Sequence, residues 1–435
     1  MRIWNREMEC MPREKMEALQ LQKLKRIVEW VYERSPLYRK KFTDVGFHPG
    51  DLKSLADLNK LPFTTKDDFR NNYPYSMFCV PMEQVIRLHA SSGTTGKLTV
   101  VGYTKNDMEV WTELVARIIT MTGVDSSDIV QIAFGYGLFT GAHGLQYGME
   151  RVGATVIPIS SGNSERQIMI MKDFGTTALV STPTYALHLG ETARKIGIDP
   201  KKDLHVKVGL FGGEAFSEEY RKEIEDMWGM LATDNYGLSE CGGPGFSGEC
   251  ELIRGQHIAE DHYITEIINP ETLEPAEPGE KGEVVITTLS REAVPVIRYR
   301  TKDISSIDYS PCECGRTTAR LGKISGRTDD MMVIRGVNVF PSQIESVLVN
   351  VKGLAPHYQI IRYKKGFLED LEIRVEISEE IFTDRYAQLE AIEEQLKQQL
   401  YKALSINPRV KLVEPHSIER SAGKAKRVID LRDQK

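Results

Sequence analysis

The stretch DIVQIAFGYG (residues 128–137) is the first of four apolar segments that are separated by longer, helix-like ones. The other three are GATVIPI (153–159), TTALVSTPTYAL (176–187) and VKVGLFGGE (206–214). Short strands that alternate with longer helices are typical of a parallel sheet covered by helices. The sequence therefore predicts an α/β fold built on such a sheet.

The regions on either side of this alternation have different patterns. Upstream, the apolar spacing from Met8 to about Arg39 predicts an amphipathic helix that ends near Ser35 and Pro36. Downstream, HYITEIINPETLEPAEPGEKGEVVITTL (262–289) predicts antiparallel strands joined by a turn rich in proline and glycine.

A further region begins after Gly326, where apolar segments and a charged helix near Tyr386–Leu404 predict a small α+β unit. We therefore expect a large N-terminal domain (1–327) with mixed and parallel sheets covered by helices and a β-rich subdomain (about 245–325). A small, mobile α+β C-terminal domain (328–435) is expected to follow it.

The amino-acid composition and net charge exclude some classes of binding partner. Of the 435 residues, 41% are hydrophobic and 27% are charged, and the formal net charge is −6. A chain of this charge lacks the basic surface that binds a nucleic-acid backbone. No apolar run approaches the roughly 20 residues that span a bilayer, and the N-terminus is charged where a secretory signal is apolar. These features predict a cytoplasmic protein that binds neither nucleic acid nor membrane.

Upstream of the predicted sheet, HASSGTTGK (89–97) combines hydroxyl groups, glycines and a lysine. Glycine allows a tight bend, hydroxyl groups donate hydrogen bonds and lysine adds positive charge, so the loop suits phosphate oxygens. It is not a Walker A loop, because Ser91 stands where that motif has its first glycine and Leu98 stands where it has a serine or threonine. The alternative is an exposed turn.

Together with four other motifs in the expected order, this loop resembles the adenylate-forming superfamily, which includes acyl-CoA synthetases, luciferases and the adenylation domains of peptide synthetases. The five motifs are SSGTTGK (91–97), DNYGLSE (234–240), YRTKD (299–303), GRTDDMMVIRG (326–336) and RSAGKAKR (420–427). The resemblance extends from about Leu61 to the C-terminus. Within the superfamily, GYGLFTGAHG (135–144) and RGVNVFPSQIE (335–345) are similar to phenylacetate-CoA ligases.

The resemblance implies an ATP-dependent ligase that converts an aromatic acid, phenylacetate or a related arylacetate, to its CoA thioester. The reaction would proceed through an acyl-adenylate and release AMP and pyrophosphate. Catalysis is assigned to Lys424, Glu240 and Thr94, with Glu240 as a ligand of Mg²⁺, an ion that prefers carboxylate and phosphate oxygens. The residues implied to bind the nucleotide are Ser91, Ser92, Gly93, Thr95, Gly96, Lys97, Gly213, Glu214, Ala215, Asp234, Asn235, Tyr236, Gly237, Asp303 and Arg327.

Two of these assignments have alternatives. Asp303 is implied to accept a hydrogen bond from the ribose, but it could instead pair with Arg300. Arg327 is implied to contact the ribose or a phosphate, and its alternative is a surface charge.

Two C-terminal residues are implied to act through domain movement. Lys424 would contact the carboxylate and the α-phosphate during adenylation, so its removal is expected to affect the first half-reaction more than the second. Asp329, with the adjacent Asp330 as the alternative, would be the hinge about which the C-terminal domain rotates to admit CoA.

The resemblance also implies a pocket for the acid. Tyr136, Phe139 and Gly141 are its candidate residues, with core packing as the alternative for the aromatic side chains. One position departs from the family, because phenylacetate ligases usually have an apolar residue where this chain has Asn235. That amide either bonds a ring substituent or satisfies the backbone, so another aromatic acid stays open as the substrate.

A second site is predicted from the cysteines. Cys312 and Cys314 form a C-x-C pair, and Cys250 and His257 lie in the adjoining region. Three thiolates and one imidazole make a tetrahedral Zn²⁺ site without an open position, which is typical of structural zinc. Reduced cysteines in a strand hairpin are the alternative.

Other functions remain open at this point. The chain could pass its acyl group to a carrier-protein thiol, or it could bind nucleotides without turnover. The joint presence of a phosphate-loop lysine, Glu240, Asp303, Arg327 and Lys424 argues against the second. The resemblance further implies a homodimer.

Overall fold

The computed structural model describes most of the chain. The described residues are 1–91, 98–214, 216–277, 279–330, 332–334, 337–365, 368–379, 381, 386–420 and 427–432. Within these ranges, no helix is both long enough and apolar enough to cross a membrane.

The helices cover both faces of the main sheet and also form the N-terminal region. In chain order they are α1 (Arg6–Glu9), α2 (Arg13–Arg34), α3 (Pro36–Asp44), α4 (Lys66–Asn71), α5 (Lys105–Met121), α6 (Gly141–Val152), α7 (Ser164–Phe174), α8 (Pro183–Lys195), α9 (Pro200–Asp203), α10 (Glu218–Trp228), α11 (Pro341–Leu348) and α12 (Tyr386–Leu404). The charged helix predicted near Tyr386–Leu404 is therefore confirmed as α12.

The predicted N-terminal helix is divided into three. Pro12 precedes α2 and has no backbone N–H to continue a hydrogen-bonded ladder from α1, so the predicted start at Met8 is wrong for the main helix. The predicted end is confirmed, because α2 stops at Arg34. The Ser35 hydroxyl then accepts a hydrogen bond from the Tyr38 backbone N–H and caps α3.

The strands form one large sheet and several small ones. In chain order they are β1 (Arg87–Ser91), β2 (Thr99–Tyr103), β3 (Ile129–Ile132), β4 (Thr155–Ile157), β5 (Ala178–Ser181), β6 (Val208–Phe211), β7 (Leu231–Leu238), β8 (Gly243–Glu249), β9 (Gln256–Ile258), β10 (Tyr263–Ile268), β11 (Gly282–Thr288), β12 (Tyr299–Ser305), β13 (Ile307–Asp308), β14 (Arg320–Leu321), β15 (Gly326–Arg327), β16 (Met332–Ile334), β17 (Val337–Val339), β18 (Leu354–Lys365), β19 (Leu368–Ile377), β20 (Arg409–Val413) and β21 (Val428–Asp430).

The main sheet has the strand order β13-β14-β9-β8-β7-β6-β5-β3-β4. Strands β4, β3, β5, β6 and β7 are parallel, and the strands from β7 to β13 pair antiparallel. One core contains Trp111 of α5 and Leu145 of α6, and another contains Tyr185 of α8 and Trp228 of α10. This arrangement confirms the predicted α/β fold and places the carboxyl ends of the parallel strands at one edge.

A four-stranded antiparallel sheet, in the order β10-β11-β12-β15, lies next in the chain. The predicted strand pair on either side of the Pro/Gly-rich turn is confirmed as β10 and β11. Strands β12 and β15 pair so that Asp303 is directly opposite Arg327. This register brings two residues that are 24 positions apart into contact.

The elements from β16 to β21 form a unit with its own sheet and core, which we call the C-terminal unit (described residues from 332 to 432). Its four-stranded sheet has the order β20-β19-β18-β21, and its core includes Ile344, Ile373 and Leu396. The elements before β16 form the N-terminal unit. The predicted boundary between residues 327 and 328 stays a prediction.

Candidate active site

Several of the predicted site residues that the structure describes lie near the end of β7. The strand β1 ends at Ser91, and its hydroxyl lies 3.5 Å from the Glu240 carboxylate, which follows β7 in a short 3₁₀ turn. The Thr140 hydroxyl lies 3.2 Å from the Ser239 hydroxyl of the same turn. The predicted phosphate loop (91–97) therefore begins where the predicted metal motif (234–240) ends. The segment predicted to bind the acid (135–144) passes through the same small region.

Glu240 is a buried carboxylate with few protein partners. It is 4% exposed, and besides Ser91 its described neighbours include Lys66, whose Nζ lies 3.7 Å from Oε1. Sequence reasoning missed Lys66, because a lone lysine at the start of α4 carries no motif. A buried carboxylate with one loosely placed cation is a suitable ligand for a hard metal ion.

Asp303 is the centre of a hydrogen-bonded group. Its Oδ1 accepts a hydrogen bond of 3.0 Å from the Arg327 guanidinium, and its Oδ2 accepts one from the Tyr236 hydroxyl. Burial raises the pKa of Asp303 above its ordinary value, although the nearby Arg327 acts in the opposite direction. The alternative pairing with Arg300 is wrong, since Arg300 is paired with Glu283 at 2.7 Å.

Arg327 also contacts the predicted hinge. Its Nε and Nη2 lie 2.9 and 3.0 Å from the two carboxylate oxygens of Asp329, and Asp330 is farther away at 3.9 Å. Arg327 is therefore a bridge between Asp303 on β12 and the residues that lead into the C-terminal unit. The Arg327 side chain is 33% exposed, so it lies at the surface as the alternative states, but it is paired with Asp303 and Asp329.

The predicted adenine segment is held by backbone contacts. The Asn235 Nδ2 donates to the Phe211 carbonyl at 2.5 Å, so this amide satisfies the backbone. A Cβ on Gly212 would lie 2.7 Å from the Asn235 carbonyl oxygen, and one on Gly237 would lie 2.1 Å from the Gly243 carbonyl oxygen. Glycine is required at both positions because the chains approach so closely.

Asp234 lies in a second polar network on the same strand. Its Oδ2 accepts a hydrogen bond of 2.8 Å from Gln256, and its backbone N–H donates to Glu249, which pairs with Arg221 at 2.8 Å. Burial, with the Glu249 charge as the second cause, raises the pKa of Asp234 to about 7.

The other predicted nucleotide residues fall into two groups. Gly213 is exposed with a left-handed φ of +81°, and Glu214 accepts a hydrogen bond of 2.7 Å from the Thr184 hydroxyl. The remainder lie outside the described residues: Ser92, Gly93, Thr94, Thr95, Gly96, Lys97, Ala215 and the C-terminal Lys424.

The segment that is predicted to bind the substrate acid (135–144) lies along β1. The Leu138 carbonyl accepts hydrogen bonds from the Ala90 backbone N–H at 2.8 Å and from His89 Nδ1 at 3.0 Å. Tyr136 is half-buried with its ring edge-on to His143, and its hydroxyl is buried without a hydrogen-bond partner among the described residues. Phe139 is 52% exposed, and a Cβ on Gly141 would meet open space. Phe139 is therefore exposed to solvent, whereas Tyr136 and Gly141 are half-buried.

His89 adds an aromatic contact that the sequence left open. Its ring is edge-on to Tyr103 and Trp111 and lies 5.4 Å from His143. Burial lowers the pKa of His89 to about 4, so the ring is neutral at pH 7.

The predicted metal cluster is also brought together. The ligand atoms of Cys250, His257, Cys312 and Cys314 all lie within 4.8 Å of one another, and all four residues are buried. The cluster is separate from the nucleotide motifs and lies at the far ends of β8 and β9.

Arg427 joins the two units and was missed from the sequence. Its guanidinium lies 5.2 Å from the ring centroid of Tyr220 on α10 and 4.5 Å from that of Tyr358 on β18. It also donates hydrogen bonds of 2.6 Å to Glu345 and to the Tyr358 hydroxyl. Further contacts between the units are the hydrogen bond from Tyr220 to the Pro356 carbonyl and the pair of His357 with Glu191.

Comparison with known families matches both parts of the chain. Residues 45–290 match the model of the AMP-binding enzymes, and residues 336–432 match that of the AMP-binding enzyme C-terminal domain. The residues around Glu240 and Asp234 lie in the first match, and Arg427 lies in the second.

Individual relatives agree with these matches. The chain is 44% identical to the phenylacetate-coenzyme A ligase of Thermus thermophilus, over 99% of this chain and 100% of the relative. It is 47% identical to that of Escherichia coli, over 97% and 96% of the two chains.

A solved relative with two states gives a further comparison. A 2-hydroxyisobutyryl-CoA ligase in its postadenylation state is 30% identical, with a TM-score of 0.93 over 99% of this chain and 92% of that one. The same ligase in its thioesterification state, with CoA bound, gives a TM-score of 0.74 over 100% and 93% of the two chains. With its fold, its polar residues at the end of β7 and these relatives, the chain belongs to the AMP-binding enzyme family, among the acid–thiol ligases that include the phenylacetate-coenzyme A ligases.

Proposed function

We propose that the protein is an ATP-dependent aryl-CoA ligase that acts on phenylacetate or a related arylacetate. In the first half-reaction, a carboxylate oxygen attacks the α-phosphorus of ATP, the bond to the β-phosphate oxygen breaks, and an acyl-adenylate and pyrophosphate form. In the second, the CoA sulfur attacks the acyl carbon, its proton is lost and AMP leaves. The observation that carries the proposal is the convergence of Ser91, Glu240, Asp303 and Arg327 at the end of β7.

Phosphoryl transfer depends on cations and dipoles that are aimed at the phosphate oxygens. In this proposal Ser91, Ser92, Gly93, Thr94, Thr95, Gly96 and Lys97 hold the β- and γ-phosphates. Glu240 holds Mg²⁺, for which its buried carboxylate beside a hydroxyl is a fitting donor set. When bound, the ion neutralises phosphate charge. Lys66 would balance the Glu240 charge when no metal is present.

The nucleoside would be bound by the strand segments around β7. Asp303 accepts hydrogen bonds from the ribose hydroxyls, and Arg327 holds the Asp303 carboxylate in place. Gly213, Glu214, Ala215, Asp234, Asn235, Tyr236 and Gly237 line the adenine. The acid lies against Tyr136, Phe139 and Gly141, where the missing Cβ at residue 141 leaves room for a flat ring.

The C-terminal domain (328–435) would move between the half-reactions about a hinge at Asp329. The higher TM-score with the postadenylation state supports an adenylation-like arrangement of the two units in this structure. In this arrangement Lys424 neutralises the phosphoryl group under attack. Rotation would then exchange Lys424 for a surface that admits CoA.

The proposal has three further parts. Zn²⁺ binds at Cys250, His257, Cys312 and Cys314 as a structural ion, because three sulfurs and one imidazole nitrogen form a closed tetrahedral donor set. The protein is cytoplasmic and forms a homodimer. Light scattering on the purified chain tests the dimer.

A panel of acids tests the proposed activity. Acid-dependent exchange of pyrophosphate into ATP is expected for phenylacetate and related arylacetates, with acetate and long-chain fatty acids as controls. Thioester formation with CoA should follow for the same acids. A chain that exchanges pyrophosphate only with aliphatic acids would contradict the aryl assignment. One that acylates a carrier-protein thiol but not CoA would favour that alternative.

Arg427→Met is expected to slow pyrophosphate exchange by about 3- to 30-fold, the range expected for loss of a desolvated cation–π contact. Arg427 is a positioning residue in this prediction, because it fixes the segment that carries Lys424 against Tyr220. Thioester formation from a supplied aryl-adenylate should change less. Arg432→Met is the matched control, since Arg432 pairs with Glu369 and Asp430 inside the C-terminal unit. Equal loss in both half-reactions would contradict a positioning role.

A further inference from the structure

The cysteine–histidine cluster has the spacing of a bound tetrahedral ion. With zinc–sulfur bonds of about 2.3 Å, two ligand sulfurs of a tetrahedral site are separated by about 3.8 Å. The Cys250 and Cys312 sulfurs lie 4.0 Å apart, and the Cys314 sulfur lies 3.3 Å from His257 Nε2. A sulfur–sulfur distance of 4.0 Å is far longer than a disulfide bond, and all three cysteines are free.

Groups around the cluster orient the ligand atoms. The Thr318 hydroxyl lies 3.1 Å from His257 Nδ1, so a proton on Nδ1 leaves Nε2 free to face the three sulfurs. The Arg316 guanidinium lies 3.7 Å from the Cys314 sulfur. Three thiolates and one Zn²⁺ carry a net charge of −1, which Arg316 offsets only in part because it also pairs with Glu9.

The ligands come from neighbouring segments at the antiparallel end of the main sheet, in which β8 pairs with β9 and β9 pairs with β14. Cys250 follows β8, His257 is on β9, and the other two cysteines lie in the turn between β13 and β14. We call that turn the knuckle (residues 312–318). Gly315 in the knuckle has a left-handed φ of +89°, and its backbone N–H donates to the Cys312 carbonyl.

The outer side of the knuckle holds the N-terminus of the protein. Arg316 is 1% exposed, and it donates hydrogen bonds to the Glu9 carboxylate at 2.5 Å and to the Arg2 carbonyl at 2.7 Å. The Thr317 backbone N–H donates to the Glu9 carbonyl, and the Thr317 hydroxyl donates to the Met11 carbonyl at 2.6 Å. One arginine therefore contacts a metal ligand on one side and the N-terminal segment on the other.

We infer that a zinc ion at this cluster fastens the N-terminal segment, residues 2–11, to the antiparallel end of the main sheet. The inference rests on the zinc site of the proposed function and adds the segment that the ion holds in place. Zinc fixes the knuckle, and the knuckle provides the donors that bind residues 2, 9 and 11. Loss of the ion frees the knuckle and so releases the segment.

The same ion is linked to the nucleotide strand through one residue. Gln256 is adjacent to His257, and its side-chain Nε2 donates a hydrogen bond of 2.8 Å to Asp234 on β7. Its side-chain Oε1 accepts a hydrogen bond from the Ser247 hydroxyl on β8. The ion thus stabilises β7 indirectly, through Gln256, and takes no part in the reaction. Loss of the zinc ion should therefore reduce the rate of pyrophosphate exchange less than it weakens the binding of residues 2–11 to the knuckle.

The metal content of the purified full chain is the first measurement. We expect about one zinc per chain for the wild type and for Cys79→Ser, which changes a buried cysteine outside the cluster. Cys312→Ser and Cys314→Ser should each lower the zinc content at least fivefold. A wild-type chain that holds no stoichiometric metal, or holds iron instead, overturns the zinc site.

Limited digestion with trypsin tests the fastening. Cleavage after Arg2 and Arg6, read by mass spectrometry, should be slow in the zinc-loaded wild type and at least tenfold faster after chelation or in Cys312→Ser. Glu9→Gln should keep its zinc and yet be cleaved faster, because it weakens only the contact with Arg316. A zinc-loaded chain whose cleavage does not respond to chelation overturns the fastening and leaves the zinc site standing. Neither readout uses an acid or CoA, so both are independent of the proposed activity.

Discussion

Lys424→Ala is expected to slow acid-dependent pyrophosphate exchange by about 10²- to 10³-fold, the usual cost of removing one group aimed at developing charge. The reason is that its ammonium would neutralise the phosphoryl oxygens only while the carboxylate attacks. Thioester formation from a supplied aryl-adenylate and CoA should change by less than about threefold, because that step builds negative charge on the acyl oxygen instead. Quenched-flow assays of the two half-reactions measure both rates.

Lys411→Ala is the matched control, since Lys411 is an exposed lysine on β20 of the same unit. It should leave both half-reactions unchanged. If Lys424→Ala slows the two half-reactions equally, the lysine does not act on adenylation, and a general effect on the C-terminal unit is the better explanation.

Asp303→Asn is expected to raise the KM for ATP by about 10- to 150-fold, which corresponds to the roughly 1.5–3 kcal/mol of a hydrogen bond to a charged group. Asparagine keeps the shape of the side chain but loses the charge that Arg327 and a ribose hydroxyl share. The wild type should also discriminate against deoxy-ATP analogues that lack a ribose hydroxyl, and the variant should lose that discrimination.

Asp308→Asn serves as the control. Asp308 on β13 pairs with Arg320 on the neighbouring strand β14, and it is remote from the nucleotide motifs. Thermal unfolding of both variants separates folding from binding. An Asp303→Asn enzyme that still rejects deoxy-ATP as strongly as the wild type would show that another group reads the ribose.

The sequence predicted the parallel half of the main sheet, whereas the roles of the candidate site residues stay predictions. The alternation of apolar segments from residue 128 to 214 corresponds to β3 to β6 and their helices, because β5 and β6 are buried throughout and β3 nearly so, whereas the edge strand β4 is partly exposed. The start of the N-terminal helix was not predicted correctly, since Pro12 divides the apolar pattern without interrupting its period. The motif order also led to Glu240, Asp303 and Arg327, which the fold brings together.

The residues that sequence reasoning missed are those whose partners are distant in the chain. Lys66 faces Glu240 across 174 positions, and Arg427 packs on Tyr220 across 207. The sequence around Lys66 and Arg427 does not indicate such partners, because lysine and arginine side chains are most often solvated. The role of the amide at residue 235 was left open for the same reason, and its hydrogen bond to the Phe211 carbonyl favours the backbone alternative.

The contacts between the two units have a consequence for the speed of each catalytic cycle. Arg427 against Tyr220, His357 against Glu191 and the Tyr220 hydroxyl against Pro356 are all polar or charged, and water can replace every one of them when the units separate. The apolar side chain of Val349, which follows α11, also packs against the N-terminal unit, so separation of the units exposes some hydrophobic surface as well. In the proposed catalytic cycle these contacts would break and re-form once per turnover, and their polar character limits the free-energy cost of each separation.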